Sequence, residues 1–244
     1  MFKKGLKGLL VVCTVFLLSG PSVIMAEPRA IDYSVKINSD FTDGVTIKST
    51  HMCGNCKDAD DLTVILDDGV PYHHKSIIDN MVINKIPKGV IDSFRYSGHK
   101  LALTSKDIRE YEGEGLSFEP AGVYSSITKT LYLSNKYDNY WAEQSLVHEF
   151  GHYLDYAMWS IGDLGDRASR TSEFKDIWSS ERGKFVVDST YNLDYYQSSV
   201  TEYFAQAFDE YVTKPERLKT NTPKTYNYIK KCLYMVDMSV CGER

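Results

Sequence analysis

No apolar run in this 244-residue chain reaches the roughly 20 residues that a membrane-spanning helix needs. The run from Gly8 to Leu18 comes nearest, and it follows Lys3, Lys4 and Lys7 and leads to a small residue at Ala26. That is the pattern of a secretory leader over residues 1–26, so the mature chain is expected to start near Glu27 and to carry no membrane anchor. Positive charge is also short. Without the leader's three lysines, 25 basic side chains face 33 acidic ones, a net charge of −8. Such a surface argues against nucleic acid as a partner, because phosphate binding needs the opposite sign. Internal repeats and low-complexity tracts are missing, which leaves 218 residues for one substantial core or two small ones.

Cysteine is sparse as well. Cys53, Cys56, Cys232 and Cys241 remain after the leader, and an even number in an exported chain favours disulfides. Bridges between the early and late pairs would tie the chain ends together, with three connectivities open. The stretch HMCGNC, with His51 beside Cys53 and Cys56, also admits a metal or thiol-redox reading. No second compact Cys/His pair stands nearby to complete a tetrahedral set.

Residues 27–60 are polar and only weakly alternating, a lead-in segment ahead of a domain over 61–244. LTVIL from Leu62 predicts a buried strand and SIIDNMVINKI a helix. Pro87 opens another helix through Arg95, closed by Gly98, and LALTSKDI alternates as a strand does. YEGEGLSFEPAG is loop-like, and VYSSITKTLYLS predicts paired strands. Beyond Tyr140 the pattern is helical almost to the end. Strands before residue 135 and helices after it predict an α+β fold.

Within the helical half, residues 145–156 read SLVHEFGHYLDY. At 100° per residue His148, His152, Asp155 and Trp159 form one narrow stripe, and the other faces are apolar. A helix apolar nearly all round should be buried, and unpaired imidazoles in a core cost about 1–3 kcal/mol each. Zinc resolves this, since imidazoles at i and i+4 reach one ion and HExxH puts Glu149 beside the reacting water. Gly151, unfavourable in a helix interior by up to about 1 kcal/mol, predicts close approach of another segment.

A metal site needs a third ligand, and no histidine follows His152. Two carboxylates have suitable spacing: Glu173, 21 residues on, and Glu202, 50 residues on. The competing role for Glu202 is helix capping, because Ser199-Val200-Thr201-Glu202 is a capping box. Spacing leaves cap and ligand evenly matched, and Glu173, near another helix start, no better.

The order GVY, LYLS, HEFGHYLDY, SEFKDIW, Tyr195, TEYFAQAF, TPKTYNYI, from Gly122 to Ile229, resembles the protease domain of anthrax lethal factor and, more loosely, the secreted Pro-Pro endopeptidases. The resemblance implies a zincin-like metalloprotease fold, a small mixed sheet with an edge strand beside the HExxH helix. It implies one Zn²⁺ on His148, His152 and Glu202, and leaves Glu173 without a ligand role. It implies Glu149 as general base and Tyr195 as partner of the oxyanion and leaving group, with Tyr196 its immediate neighbour. Where the family carries a second acidic residue in the Glu202 helix, this chain has Gln206.

The resulting expectation is a secreted bacterial zinc endopeptidase, monomeric, hydrolysing proteins or peptides bound in extended form. Asp155, one turn from His152, is expected to orient an imidazole. The strand around Leu131–Ser134 is expected to pair with substrate. Trp141, Trp159 and the tyrosines of KYDNYW are candidates for lining pockets or for core packing. The alternatives are a non-catalytic docking domain of the toxin type and a thiol-redox protein using Cys53 and Cys56.

Overall fold

A computed structural model of the chain describes residues 45–47, 62–66, 85–112, 120–134, 136, 139–162, 164–189 and 191–241. The expected leader, most of the expected lead-in segment, Cys53, Cys56 and nearly all of the helix expected over SIIDNMVINKI lie outside the described residues.

Five strands form one sheet: β1 (Val45–Ile47), β2 (Leu62–Leu66), β3 (Lys100–Thr104), β4 (Gly122–Ser125) and β5 (Thr130–Ser134), in the order β1-β2-β3-β5-β4. β2, β3 and β5 run parallel, with Val64 opposite Leu101 and Leu101 opposite Leu131. Parallel strands are covered on both faces and so carry near-continuous apolar runs. KLALT and TLYLS fit this, with Leu101, Ala102, Leu103, Leu131 and Leu133 all buried. The outer strands are antiparallel, β1 on β2 and β4 on β5. The lead-in segment thus contributes one strand to the sheet.

Joining parallel neighbours requires a crossover. Helix α1 (Lys88–Tyr96) leads into β3 and buries Val90, Ile91 and Phe94. Gly98, at φ +75°, makes the left-handed turn from helix to strand. A one-turn helix, α2 (Arg109–Glu112), follows β3, and β4 and β5 then form the hairpin expected from VYSSITKTLYLS.

Helix α3 (Asn139–Ser160) leaves β5 and runs between the sheet and the C-terminal helices. Leu146, Val147, Phe150, Tyr153, Leu154, Ala157 and Met158 are each at most 1% exposed, so α3 is enclosed on several sides as its sequence predicts. Phe94 meets Phe150 and Tyr153 at ring-centroid distances of 5.1 and 4.9 Å, locking α1 to α3.

Three capped helices, a fourth that opens on proline and a fifth, longer one follow among the described residues. A 3₁₀ turn (Ala168–Arg170) precedes α4 (Ser172–Glu181), capped by Thr171, whose Oγ1 accepts the Phe174 N–H at 3.2 Å. Asn192 caps α5 (Leu193–Ser198) and Ser199 caps α6 (Val200–Thr213). Helix α7 (Pro215–Asn221) has proline in its first turn. The last helix, α8 (Pro223–Cys241), is held at its start by buried Glu181, which accepts the N–H groups of Lys224 and Thr225 at 3.0 and 2.8 Å.

The disulfide expectation for Cys232 is overturned. It is a free thiol, fully buried in α8, and burial pushes its pKa up. Cys241 lies on the same helix about 13.5 Å further along at 1.5 Å per residue, beyond the ~7 Å limit for a bridge. In α8, Cys232 occupies a core position of the helix's apolar face, a role for a small hydrophobe.

Candidate metal centre

His148 and His152 stand one turn apart on α3, their rings edge to face with centroids 4.9 Å apart. Glu202 enters from the first turn of α6. Its Oε2 lies 3.2 Å from His148 Nε2 and 3.5 Å from His152 Nε2. One ligand atom from each of the three residues falls within 4.8 Å of the others, the single such group among the described residues. The three side chains are partly exposed, at 13%, 18% and 20%, so the cluster opens to solvent on one side.

The contact that creates this cluster is a close crossing of two helices. A Cβ placed on Gly151 would sit 2.7 Å from both the Cα and the carbonyl oxygen of Ala205. Only a residue without a side chain lets α3 and α6 approach this closely, and Gly151 lies between the two histidines while Ala205 lies one turn after Glu202. The capping role also proves real in part: Ser199 Oγ accepts the Glu202 N–H at 3.4 Å. The Glu202 carboxylate, however, turns to the imidazoles. Glu173 is elsewhere, 53% exposed and paired with Lys231 at 2.7 Å.

Burial opposes charge at His152 and at Glu202, and the neighbours outweigh it. Burial lowers the His152 pKa, but Glu202, Glu149 and Asp155 together push it up to about 9. Burial raises Glu202, but His152 and His148 hold it well below the carboxylate range. Two imidazole nitrogens and a carboxylate oxygen form the donor set of three-ligand zinc sites, and a fourth position is left for water or substrate.

Glu149 lies between the cluster and β4. It is 6% exposed, and a Cβ on Gly122 would be 3.0 Å from its Cγ. Its carboxyl accepts the backbone N–H of Tyr124, and burial raises its pKa against the pull of His152 and His148. A carboxyl whose pKa burial raises is a stronger proton acceptor than an exposed one.

Tyr195, on α5, hydrogen-bonds the Glu202 side chain, and burial together with Glu202 raises its pKa. Tyr196 packs its ring 5.6 Å from that of His148. Of the two adjacent tyrosines it is therefore Tyr195 whose phenol meets the Glu202 carboxylate. His148 Nδ1 lies 3.1 Å from Gln206 Oε1, and Gln206 Nε2 donates to Asp209 Oδ2 at 3.0 Å. Asp209 escaped the sequence reading, and its only signal was its position three residues after Gln206 in α6.

Two expectations need correction. Asp155 is fully buried but accepts the Ser169 N–H at 2.6 Å and the Ser169 Oγ–H at 2.8 Å. It anchors the 3₁₀ turn and acts on His152 through its field alone. The strand Thr130–Ser134 is not a sheet edge, because β3 and β4 flank it on both sides. The hairpin folds β4 back over the side of β5 that chain order left open, and β4, beside Glu149, is an edge of the sheet among the described residues. Trp159 is 52% exposed and packs edge-on against Tyr156, and the side chains of KYDNYW lie outside the described set apart from Lys136.

No described helix is long and apolar enough to cross a membrane. Curated protein sequences give no match. The solved structure of the Pro-Pro endopeptidase from Paenibacillus alvei is similar at a TM-score of 0.50 and 22% identity, over 69% of this chain and 96% of that one. The two share a zincin-like α+β fold. Residues 62–232 match the family described as anthrax toxin lethal factor, N- and C-terminal domain. That span runs from β2 through both histidines and Glu202 into α8, and the chain belongs to this family.

Proposed function

We propose that the chain is a secreted zinc endopeptidase. The observation that carries this is the convergence of Glu202 on His148 and His152, with Glu149 and Tyr195 beside them. Bound zinc would supply a Lewis acid that polarises the scissile carbonyl and makes water acidic enough to react near pH 7. Glu149 takes the proton from the attacking water and delivers it to the leaving amine. Its burial against Gly122 and its bond from the Tyr124 N–H hold the carboxyl in place for this. The Tyr195 phenol donates to the oxygen of the tetrahedral species, where a positioned donor acts most strongly. An extended peptide adds to the free edge of β4, which directs its backbone past Glu149.

The fold does not dictate which bond is cut, so the test uses a random peptide library. The expected result is one zinc per chain by elemental analysis, with peptide cleavage that falls about 10²–10⁴-fold in Glu149→Ala while zinc is retained. A chain that takes up no zinc would refute the reading.

A second reading, a docking domain without catalysis, is favoured by the breadth of the matched family, which includes both N- and C-terminal domains of the toxin. It predicts partner capture that is the same with and without a chelator, and a library left uncut.

A further inference from the structure

The Gln206–Asp209 pair has an asymmetry that bears on His148. Gln206 is fully buried and Asp209 is 1% exposed, so neither is satisfied by bulk water. Gln206 presents its carbonyl oxygen to His148 Nδ1 at 3.1 Å and its NH₂ to Asp209 Oδ2 at 3.0 Å. Asp209 is itself fastened within α6, where Thr213 Oγ1 donates to its carbonyl oxygen at 2.8 Å.

The direction of this chain of bonds follows from chemistry. Burial pushes the Asp209 carboxyl up to about 7, and in its ionised form it only accepts, whereas an amide has one accepting and one donating end. Ionised Asp209 is met by the NH₂ of Gln206, as the structure has it, and this turns the carbonyl toward His148. A carbonyl only accepts, so Nδ1 must carry the ring proton. The lone pair then sits on Nε2, the nitrogen that faces Glu202.

We infer that Asp209 is a positioning residue for the metal centre, acting through the Gln206 amide to fix which nitrogen of His148 is free to bind the ion. A carboxylate at position 206 would touch the imidazole directly. In this chain the negative charge stands one side chain further back, and the neutral amide relays its direction. This inference rests on the metal-site reading above.

The test measures zinc affinity by competition with a chelating dye, alongside the His148 Nδ1–H proton signal in ¹⁵N-labelled, zinc-loaded protein and the melting temperature of the zinc-free protein. Gln206→Leu removes the acceptor and is expected to weaken zinc binding 10–100-fold, with the Nδ1–H signal lost to exchange. Asp209→Asn can offer either a donor or an acceptor to the amide, so the lock is released and affinity falls roughly tenfold. The double variant Gln206→Glu/Asp209→Asn reverses the second bond and keeps the first, and is expected to recover wild-type affinity and the Nδ1–H signal. Should Asp209→Asn not fold, the double variant and Gln206→Leu carry the comparison.

Affinity within twofold of wild type in both Asp209→Asn and Gln206→Leu overturns the relay. So does a loss in Asp209→Asn that the double variant fails to restore, because that is the result of lost packing. A wild-type protein that binds no zinc instead sinks the metal-site reading, a distinguishable outcome.

Discussion

His99 shows how one buried side chain ties stability to pH. It is 3% exposed, with Nδ1 2.7 Å from Ser97 Oγ and Nε2 2.9 Å from Tyr124 Oη. Burial, aided by Lys129, lowers its pKa to about 4. The unfolded chain therefore takes up a proton between about pH 6.5 and 4 that the folded chain refuses. Stability from this residue is fully present above pH 6.5 and is lost on acidification through that window, roughly 2–3 kcal/mol. Urea unfolding of zinc-free protein at pH 7 and pH 4.5 should show the loss in wild type and a smaller one in His99→Asn. Tyr195→Phe belongs to the same scale: it removes one donor and should lower kcat about 10–10³-fold with KM and zinc content little changed, as steady-state kinetics and metal analysis would show.

At the scale of elements, the crossing of α3 and α6 governs the site. Gly151→Ala places a methyl group 2.7 Å from the Ala205 backbone, and a helix backbone cannot yield as a flexible side chain can. The helices must separate by several tenths of an ångström or more. The expected destabilisation is about 1–3 kcal/mol by urea titration, accompanied by weaker zinc binding, since Glu202 moves away with α6. A surface change such as Glu173→Gln, which breaks only an exposed pair with Lys231, should leave both quantities within error. Glu181 tests a second junction. Glu181→Ala strips the acceptor from the first turn of α8 and leaves buried N–H groups without a partner, for a loss of about 1–3 kcal/mol.

For the whole molecule, the ion would join α3 to α6. Ligation that exists only in the folded chain stabilises it by mass action, about 4 kcal/mol at free zinc a thousandfold above Kd. For a chain of this size that amounts to a rise in Tm of roughly 8–16 °C. Chelator should abolish the rise, and His148→Ala should melt at the same temperature with or without zinc in scanning calorimetry. The sheet bears on substrate rather than metal. Because β4 is antiparallel at the free edge, a bulky residue at Gly122 would meet Glu149, Leu133 and Ser145, and should reduce cleavage without reducing zinc content.

What could be read from the residues was whatever depends on near neighbours in the chain. Period and burial made α3 legible, the hairpin of β4 and β5 followed from its alternation, and the i, i+4 histidines with Glu149 declared a metal chemistry before any fold was known. Gly151 announced a close contact without naming Ala205. The family order singled out Glu202, but spacing by itself could not separate ligand from cap, and in the structure its N–H donates to the Ser199 cap while the carboxylate turns to the histidines.

Tertiary structure alone decided where residues distant in sequence meet. Asp155 found Ser169 rather than an imidazole, Cys232 found the core rather than a disulfide partner, and β5 lost its free edge to a hairpin partner. The relay from Asp209 to His148 crosses two helices. A carboxylate takes the nearest donor in space, and local sequence records no such distance.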